Sequence, residues 1–428
     1  MQKKIQIILK RLLQLYPKSV DLSLNRIKRL LKDLNNPQKE IENVIQVVGT
    51  NGKHSVCSAI REIFETANYS VNMNISPSIR RFNERYYLCG KYISDDELFD
   101  LLIEVEKINN NQNITFHEFI CACFFLAAKR NKSDINILEA GLFFRLDASN
   151  VLEKNIASVI TRIGMDHKDF LKKGTIDEII YEKCSHLMND SKIFVSAQNE
   201  DILKKIKKNI LKNSSSKFIF GENYKYSKTN DGFIYKDING EINLPYPSLL
   251  GDFQISNVST AISVSKNLDK FKIKDSHIKK AITKIKSEGR LQFIKDGKLR
   301  KYVSDNNEIL IDGASNPLAA REIENYLKNL NPKKKIIMIL AMMSNKEHKK
   351  FIEIFKNRVH SIIALDIPNQ INFIKKEKLS KIAESCGMIS KTESSIESGL
   401  KNASRESDNA IIFCTGSLYF AGEILNLN

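Results

Sequence analysis

The hydrophobic and polar positions of the first 43 residues follow the period of an α-helix. Apolar residues recur at three- and four-residue spacing over residues 5–13 and again over residues 24–31. Pro17 and Pro37 interrupt the two stretches. The pattern therefore predicts two amphipathic helices before the first strand.

A different pattern begins at Val44. Val44–Val48 is a short β-branched run, and Gly49–Gly52 follows it as a turn. Apolar residues then return at helical spacing from Val56 to Ala67. This order predicts a strand, a glycine-rich loop and a helix.

Short apolar runs and helical patterns alternate from there to residue 197. The predicted strands are 135–138, 158–163 and 193–197, and the predicted helices are 115–130 and 176–188. Such alternation indicates a parallel sheet with helices on both faces, and its ligands bind beyond the carboxyl ends of the strands.

The second half of the chain contains a β-rich interruption and then another α/β pattern. Turn signals and aromatic residues between 217 and 245 predict a small antiparallel element. Helical patterns follow at 257–268 and 276–286, and strands are predicted at 309–311, 336–340, 361–365 and 410–414.

The predicted fold class is therefore α/β, with a mostly parallel P-loop-type sheet and a second, smaller Rossmann-like domain. We predict that residues 1–290 form the first domain, including the N-terminal helices. Residues 291–428 form the second, because Glu288-Gly289-Arg290 has the composition of a turn.

The net charge does not indicate a different class of protein. The 428 residues carry 67 Lys and Arg against 50 Asp and Glu, a net charge of +17. Such a charge is compatible with a nucleic-acid-binding protein. The lysines are, however, spread from end to end alongside frequent Ile and Asn, which is typical of a compositional bias, so we expect no nucleic-acid partner.

The cysteines and the apolar stretches bear on the compartment. The seven cysteines form no CxxC pair, which predicts free thiols in a reducing compartment and no zinc site. The N-terminal segment lacks the features of a signal peptide, and the most apolar stretch, Phe119–Ala128, is too short to span a bilayer. We therefore expect a cytoplasmic protein without a membrane partner.

The loop after the first strand has the composition of a phosphate site. A glycine-rich turn between a strand and a helix presents backbone N–H groups to phosphate. Lys53 adds a positive charge, and the Ser55 hydroxyl is suited to Mg²⁺. The usual P-loop spacing is not met, because Val47 stands at the first glycine position and His54 separates Lys53 from Ser55. A structural turn remains the alternative.

Two candidate metal ligands follow other predicted strands. Glu139 comes directly after one apolar run, and His167 follows the next. Together with Ser55 and Ser76 they would supply hard oxygen ligands and one imidazole, a set suited to Mg²⁺.

Several motifs in order along the chain resemble the folylpolyglutamate synthase/dihydrofolate synthase family of the Mur ligase superfamily. The resemblance covers nearly the whole sequence. Its motifs are Gly49–Ser55, Ser76-Pro77 with 81–85, 93–95, 138–142 with 145–150, 164–167, Glu182-Lys183, 289–291, 312–317 and 415–419.

The resemblance implies the nucleotide and metal chemistry. Mg²⁺ would occupy two sites, one held by Ser55 and Glu139 and one by Glu139 and His167, with Ser76 nearby. Lys53, Lys183 and His167 would be catalytic, and Lys183 would carry a carbamate. The implied ATP-binding residues are Gly49, Thr50, Asn51, Gly52, Lys53, His54, Ser55, Asn257, Arg290 and Asp312.

The resemblance also implies a substrate site. Its residues would be Asp21, Arg26, Phe82, Arg145, Asp147, Ser315 and Ser417. Pattern alone gives simpler interpretations for some members of these sets: Asp21 and Asn257 as helix N-terminal caps, and Lys183 as a surface lysine.

Four departures from the family pattern bear on activity. His54 replaces a loop glycine, where a positive φ would strain a histidine. Phe143-Phe144 replaces two glycines and would reshape the pocket for the substrate carboxylate. Ser315 replaces a histidine, and Asn345-Lys346-Glu347 replaces Asp-Lys-Asp.

The implied reaction is ATP-dependent amide formation between L-glutamate and the carboxylate of dihydropteroate or a folate polyglutamate, through an acyl phosphate. ATP, Mg²⁺ and K⁺ would be required, and a monomer is expected. Three alternatives stay open: a Mur-type ligase with another carboxylate and amino acid, a catalytically silent ATP-binding protein, and a nucleic-acid-binding protein.

Overall fold

The chain folds into two compact units, seen in a computed structural model that describes residues 1–16 and 21–428. The first unit comprises residues 1–163, 173–248 and 255–285, and the second comprises 164–172, 249–254 and 286–428. The helix break predicted at Pro17 lies outside the described residues.

The first unit carries two sheets and most of the helices. Its strands are β1 (Val44–Val48), β2 (Val71–Asn74), β3 (Tyr86–Leu88), β4 (Lys91–Tyr92), β5 (Ile135–Glu139), β6 (Ala157–Ile160), β7 (Lys192–Val195), β8 (Ser216–Ile219), β9 (Tyr224–Lys228), β10 (Gly232–Asp237) and β11 (Gly240–Pro245). Its helices are α1 (Gln2–Leu12), α2 (Asn25–Asp33), α3 (Lys53–Thr66), α4 (Asp95–Asn109), α5 (Phe116–Arg130), α6 (Ile176–Cys184), α7 (Glu200–Ile210), α8 (Asp252–Lys266), which starts in the second unit, and α9 (Asp275–Ile282).

The main sheet of this unit is mostly parallel, in the order β4-β3-β2-β5-β1-β6-β7-β8. Only the β2–β3 and β3–β4 pairs in it are antiparallel. Strands β9, β10 and β11 form the predicted antiparallel element, although β8, at the start of that segment, joins the main sheet in parallel.

Helix starts follow from local capping chemistry. The Thr115 hydroxyl accepts a hydrogen bond from the Glu118 amide, and the Glu118 carboxylate accepts one from the Thr115 amide. Thr175 and Glu178 repeat this arrangement at α6. The capping boxes fix the first turns of α5 and α6, both of which carry candidate site residues.

The second unit is a separate α/β domain. Its sheet has the order β12-β13-β17-β14-β15-β16, with only β12 antiparallel. Its strands are β12 (Gln292–Ile294), β13 (Glu308–Ile311), β14 (Lys335–Leu340), β15 (Ser361–Ala364), β16 (Ile389–Thr392) and β17 (Ala410–Thr415). Its helices are α10 (Pro317–Lys328), α11 (His348–Ile354), α12 (Lys376–Ser385), α13 (Ile396–Glu406) and α14 (Leu418–Leu427).

The predicted fold class is confirmed, with a core in each unit. Apolar side chains of the N-terminal helices, α4 and α5 pack together in the first unit, and those on β13, β14 and β17 pack under α10–α12 in the second. All seven cysteines are free thiols. In the described part of the chain, no helix is long and apolar enough to cross a membrane.

Two helix-cap interpretations are wrong. Asn257 lies inside α8 rather than at its start, and it is buried. Helix α2 begins at Asn25 after Leu24, so Asp21 does not cap it. The Asn257 side chain instead lies against Gly52, which is distant in sequence, and the Asp21 carboxylate pairs with Arg26.

Candidate active site

The glycine-rich loop joins β1 to α3 and is tied to the neighbouring strand. The amides of Thr50 and Asn51 donate to the Arg162 carbonyl at 3.0 and 3.1 Å. A methyl group on Gly49 would lie 2.0 Å from the Thr161 Oγ1, so only glycine fits there. The loop is therefore held in one conformation at the carboxyl end of the sheet.

His54 fits this loop without backbone strain. It is the second residue of α3 and is not among the residues with positive φ. The positive φ lies at Gly52, where it is 86°. The strain expected at His54 is therefore wrong, because the helix starts one residue before it.

Lys53 and Lys183 bring two amines to the loop. The Lys53 Nζ lies 3.3 Å from the carbonyl oxygens of both Gly49 and Thr50. Lys183, on α6, donates to the carbonyls of Gly49 and Leu142, each at 2.8 Å. Lys183 is only 3% exposed, so it is a buried residue and not the surface lysine that the pattern suggested.

Glu139 and Ser76 meet at the same edge of the sheet. Glu139 is the last residue of β5, which pairs in parallel with β1 so that Glu139 lies opposite Val47. Its carboxylate accepts a hydrogen bond from the Ser76 amide at 3.0 Å and is almost wholly buried. Ser55 is buried in the first turn of α3, directly after the loop.

Asn257 is the residue of α8 that contacts the loop. A Cβ on Gly52 would lie 2.5 Å from the Asn257 Oδ1. The side-chain amide therefore packs directly against the Gly52 backbone, beside the predicted phosphate site.

The predicted substrate residues of the first unit are joined by polar and aromatic contacts. Arg26 pairs with Asp21 at 2.8 Å and with the buried Glu118 at 2.9 Å. The rings of Phe82 and Phe116 lie 6.1 Å apart between centroids. These contacts bring the segment at Asp21 and the loop at Phe82 to the first turn of α5.

Arg145 and Asp147 are each held by partners. Arg145 binds Glu182 through two of its nitrogens, with a shortest distance of 2.8 Å. Asp147 is buried and accepts hydrogen bonds from the Gly141 and Ser149 amides. The rings of Phe143 and Phe144 are fully buried, so they fill the interior and do not line an open pocket.

In the second unit, several of the predicted site residues line a cavity of about 300 Å³. His167, Ser315 and Asn316 line it, together with Lys346 and Glu347. Histidine, serine and amide groups beside ammonium groups make this cavity polar and suited to a carboxylate-bearing ligand.

Asp166 organises one wall of this cavity. Its carboxylate accepts hydrogen bonds from the Lys346 Nζ at 2.8 Å and from the Asn316 Nδ2 at 3.0 Å. Burial alone would raise the pKa of Asp166, but His167, Lys346 and Asn316 outweigh it and lower the pKa to about 2. The acid therefore stays ionised and fixes Lys346.

We expect Asp166→Asn to destabilise the protein in a pH-dependent way. The depressed pKa stabilises the folded state above the unfolded value near 3.8, and this contribution is lost as pH falls through about 2. The free energy of unfolding of the wild type should therefore exceed that of the variant by about 2 kcal/mol at neutral pH. This difference should shrink between pH 4 and 2. Urea unfolding of both proteins across this range measures it, and a pH-independent difference would contradict the assignment.

Arg290 and Asp312 lie together at the start of the second unit's sheet. The Asp312 carboxylate accepts the amides of Leu291 at 2.9 Å and Ala314 at 2.7 Å. Burial raises the pKa of Asp312, with Arg290 and the two amides opposing it. A Cβ on Gly313 would lie 3.1 Å from the Arg290 guanidinium.

Ser417 has a structural task. Its hydroxyl accepts a hydrogen bond from the Tyr419 amide and caps α14, and the residue is buried. Its substrate role stays a prediction.

The predicted metal ligands are divided by unit. Ser55, Ser76 and Glu139 belong to the first unit and His167 to the second. Over residues 1–16 and 21–428, no group of three or more His, Cys, Asp and Glu side chains could hold a metal ion.

Sequence reasoning missed His117. It lies in the first turn of α5, with its Nε2 3.4 Å from the Asp147 Oδ2. The only signal was a polar residue near the start of an otherwise apolar helix.

Comparison with known proteins gives this architecture a class. The Mur ligase middle domain matches residues 47–265, just over half of the chain, and the chain therefore belongs to the Mur ligase family. Residues 295–427 match the dihydrofolate synthetase C-terminal domain, which is the branch that the sequence motifs resemble.

Relatives of similar length agree. The dihydrofolate synthase/folylpolyglutamate synthase of Buchnera aphidicola is 29% identical over 413 residues, covering 95% of this chain and 94% of the relative. That of Bacillus subtilis is 28% identical, with 94% of both chains covered. The predicted family and its ligase class are thereby confirmed.

Solved structures share the fold. The structure of Escherichia coli FolC in complex with DHPP and ADP has a TM-score of 0.87 at 22% identity, covering 99% of this chain and 97% of the other. The Yersinia pestis bifunctional enzyme complexed with AMPPNP and Mn ion has a TM-score of 0.86 at 22% identity, with 99% and 97% covered.

Proposed function

We propose that this protein joins L-glutamate to the carboxylate of dihydropteroate, of a tetrahydrofolate polyglutamate, or of both, at the expense of ATP. The observation that carries the proposal is the cluster at the carboxyl end of the main sheet. There the glycine-rich loop meets Lys53, Ser55 and the buried Lys183, with Glu139 on the adjacent strand.

The loop residues would bind the phosphates of ATP. The N-terminus of α3 directs backbone amides towards an anion, and Lys53 adds a charge that stabilises the transferring phosphoryl group. The acceptor carboxylate would attack the γ-phosphate to give an acyl phosphate and ADP. The glutamate amine would then attack the acyl carbon and expel phosphate, which leaves an amide.

The donor set fits Mg²⁺. Glu139 offers a buried carboxylate and Ser55 and Ser76 offer hydroxyls, all hard oxygen donors of the first unit. Bound Mg²⁺ would neutralise the developing charge on the phosphate oxygens. The complexes of relatives with ADP, and with AMPPNP and Mn ion, support this part of the proposal.

The other residues would position the two substrates. We assign the acceptor to the group formed by Asp21, Arg26, Phe82, Arg145 and Asp147. We assign L-glutamate to the second unit's cavity, where Ser315 stands with the ammonium groups of Lys168 and Lys346. The proposal also includes a K⁺ requirement, a carbamate on Lys183, and a cytoplasmic monomer.

ADP release by the purified protein tests this function. The assay would contain ATP, Mg²⁺, K⁺, L-glutamate and either dihydropteroate or tetrahydrofolate, with each component omitted in turn. We expect release that requires both glutamate and a pterin. Dependence on dihydropteroate would establish the synthase activity, and dependence on tetrahydrofolate would establish polyglutamylation.

Glu139→Gln is the matched control for that assay, because it keeps the shape of the side chain and removes its charge. No ADP release with either pterin, but release with another carboxylate and amino acid from a substrate panel, would instead favour a Mur-type ligase with another substrate. ATP binding without any release would favour a silent nucleotide-binding protein.

A further inference from the structure

Three consecutive residues at the start of α5 each contact a different predicted substrate residue. Phe116 packs against Phe82, His117 lies against Asp147, and Glu118 pairs with Arg26. Their side chains project in different directions from one helical turn, so this turn lies where the three substrate segments converge.

His117 is the member of this turn that has a partly exposed ring nitrogen. Its Nε2 faces the Asp147 Oδ2 at 3.4 Å and the Cys121 Sγ at 3.8 Å. Among the described residues, nothing hydrogen-bonds to its Nδ1, and the side chain is 31% exposed. The imidazole thus has one edge fixed by the protein and a second donor on the other edge.

Asp147 is built to hold that imidazole. Its Oδ2 also accepts the Gly141 amide at 3.0 Å, and its Oδ1 accepts the Ser149 amide and hydroxyl at 2.9 and 2.6 Å. The absence of a side chain at Gly141 leaves room, since a Cβ there would lie 2.8 Å from the His117 Nε2. Gly141 is two residues after Glu139, so the pair adjoins the proposed metal site along the chain.

Electrostatics favour a charged pair. Burial disfavours the imidazolium, but Cys121 and Asp147 outweigh it and raise the pKa of His117 well above its usual value. Burial would raise the pKa of Asp147, yet His117 and Ser149 lower it overall. Both ring nitrogens of an imidazolium are donors.

We propose that His117 contacts the acceptor substrate and helps to determine its specificity, with its Nδ1–H donating to an acceptor atom on the substrate's heteroaromatic ring. Asp147 holds the imidazole in place from the opposite edge. The neighbouring rings of Phe116 and Phe82 favour a planar aromatic ligand over an aliphatic one. This inference rests on the proposed function.

Two substitutions separate the two edges of the ring. His117→Gln extends an amide towards Asp147 but offers no donor at the Nδ1 position, whereas His117→Asn offers an amide near that position. A charge-assisted hydrogen bond corresponds to roughly 10- to 100-fold in affinity. We expect His117→Gln to raise the KM and Kd for the pterin by that factor, with kcat and the Kd for ATP unchanged, and His117→Asn to recover part of the loss.

The control is His277→Gln, which changes a half-buried histidine in α9 of the same unit, outside the site. It should leave every constant unchanged. Pterin affinity that is unaltered in His117→Gln, in a wild type that shows pterin-dependent ADP release, would overturn this inference alone. An equal loss of ATP affinity would also overturn it, because the role would then be structural. A wild type with no pterin-dependent release would overturn both proposals.

Discussion

Replacing Lys183 with methionine is expected to lower pterin-dependent ADP release by roughly 10²–10³-fold, the usual effect of removing one group that stabilises charge in the transition state. The side chain is buried and its amine joins the carbonyls of Gly49 and Leu142. Methionine keeps most of the side-chain volume, so the fold should persist. The hydrogen bond between α6 and the glycine-rich loop is lost. Steady-state kinetics measure the rate, and circular dichroism checks the fold.

The proposed carbamate makes a sharper prediction at the same residue. Arginine preserves the positive charge but cannot form a carbamate with CO₂, so Lys183→Arg should stay as inactive as the methionine variant. The smaller Lys183→Ala should regain activity when a short carboxylate such as acetate is added, because the anion can replace the carbamate. A carbamylated nitrogen retains one N–H, which can donate a hydrogen bond to one of the two carbonyls, that of Gly49 or that of Leu142.

Lys204→Met is the control for these variants, since Lys204 is an exposed lysine on α7 that pairs with Glu200. It should behave as the wild type. Near-normal activity of Lys183→Arg would show that the amine acts as a cationic tether and would exclude the carbamate. Near-normal activity of Lys183→Met would exclude both roles.

Local pattern was enough to predict the strand, glycine-rich loop and helix at residues 44–67. The β-branched run at Val44–Val48 coincides with β1, and the glycine-rich turn and apolar helix follow as predicted. Each of these elements depends on interactions within a few residues, so sequence carries the information directly.

Residues whose roles depend on distant contacts were harder to assign. Asn257 has the sequence context of a cap, yet it lies within α8 against Gly52. Lys183 is separated from Gly49 by 134 positions, and only the family motif pointed to it. Neither contact leaves a periodic signal in the chain.

Neither the local sequence pattern nor the family motifs identified His117. Its neighbours in α5 have the pattern of an apolar helix. The motifs on which the family resemblance rests did not include His117. Its relation to Asp147 arises only when the end of β5 and the first turn of α5 come together. Ser315 at the second unit's cavity does depart from the family pattern, and the amino-acid specificity of this chain can differ from that of its relatives there.

Gly52→Ala is expected to weaken ATP binding. Gly52 has a φ of 86°, which disfavours alanine by roughly 1–2 kcal/mol. The new methyl group would also lie 2.5 Å from the Asn257 Oδ1, so the Asn257 side chain or the loop must shift. Because the proposed phosphate site consists of the loop amides, we expect the Kd for ATP to rise by roughly 10- to 100-fold, at about 1.4 kcal/mol for each tenfold step.

Two further variants separate strain from collision. Gly221 has the same φ of 86° and nothing within 4 Å of an added Cβ, so Gly221→Ala carries the backbone strain alone and should leave ATP affinity intact. Combining Gly52→Ala with Asn257→Gly removes the clash. Asn257 is itself an expected ATP-binding residue, so the reference is Asn257→Gly alone, and adding Gly52→Ala should cost less affinity there than in the wild type if collision dominates. Titration of a nucleotide analogue into each protein gives the constants. Unchanged affinity in Gly52→Ala would mean that the loop does not bind the phosphates, and the ATP site would have to be sought elsewhere in the chain.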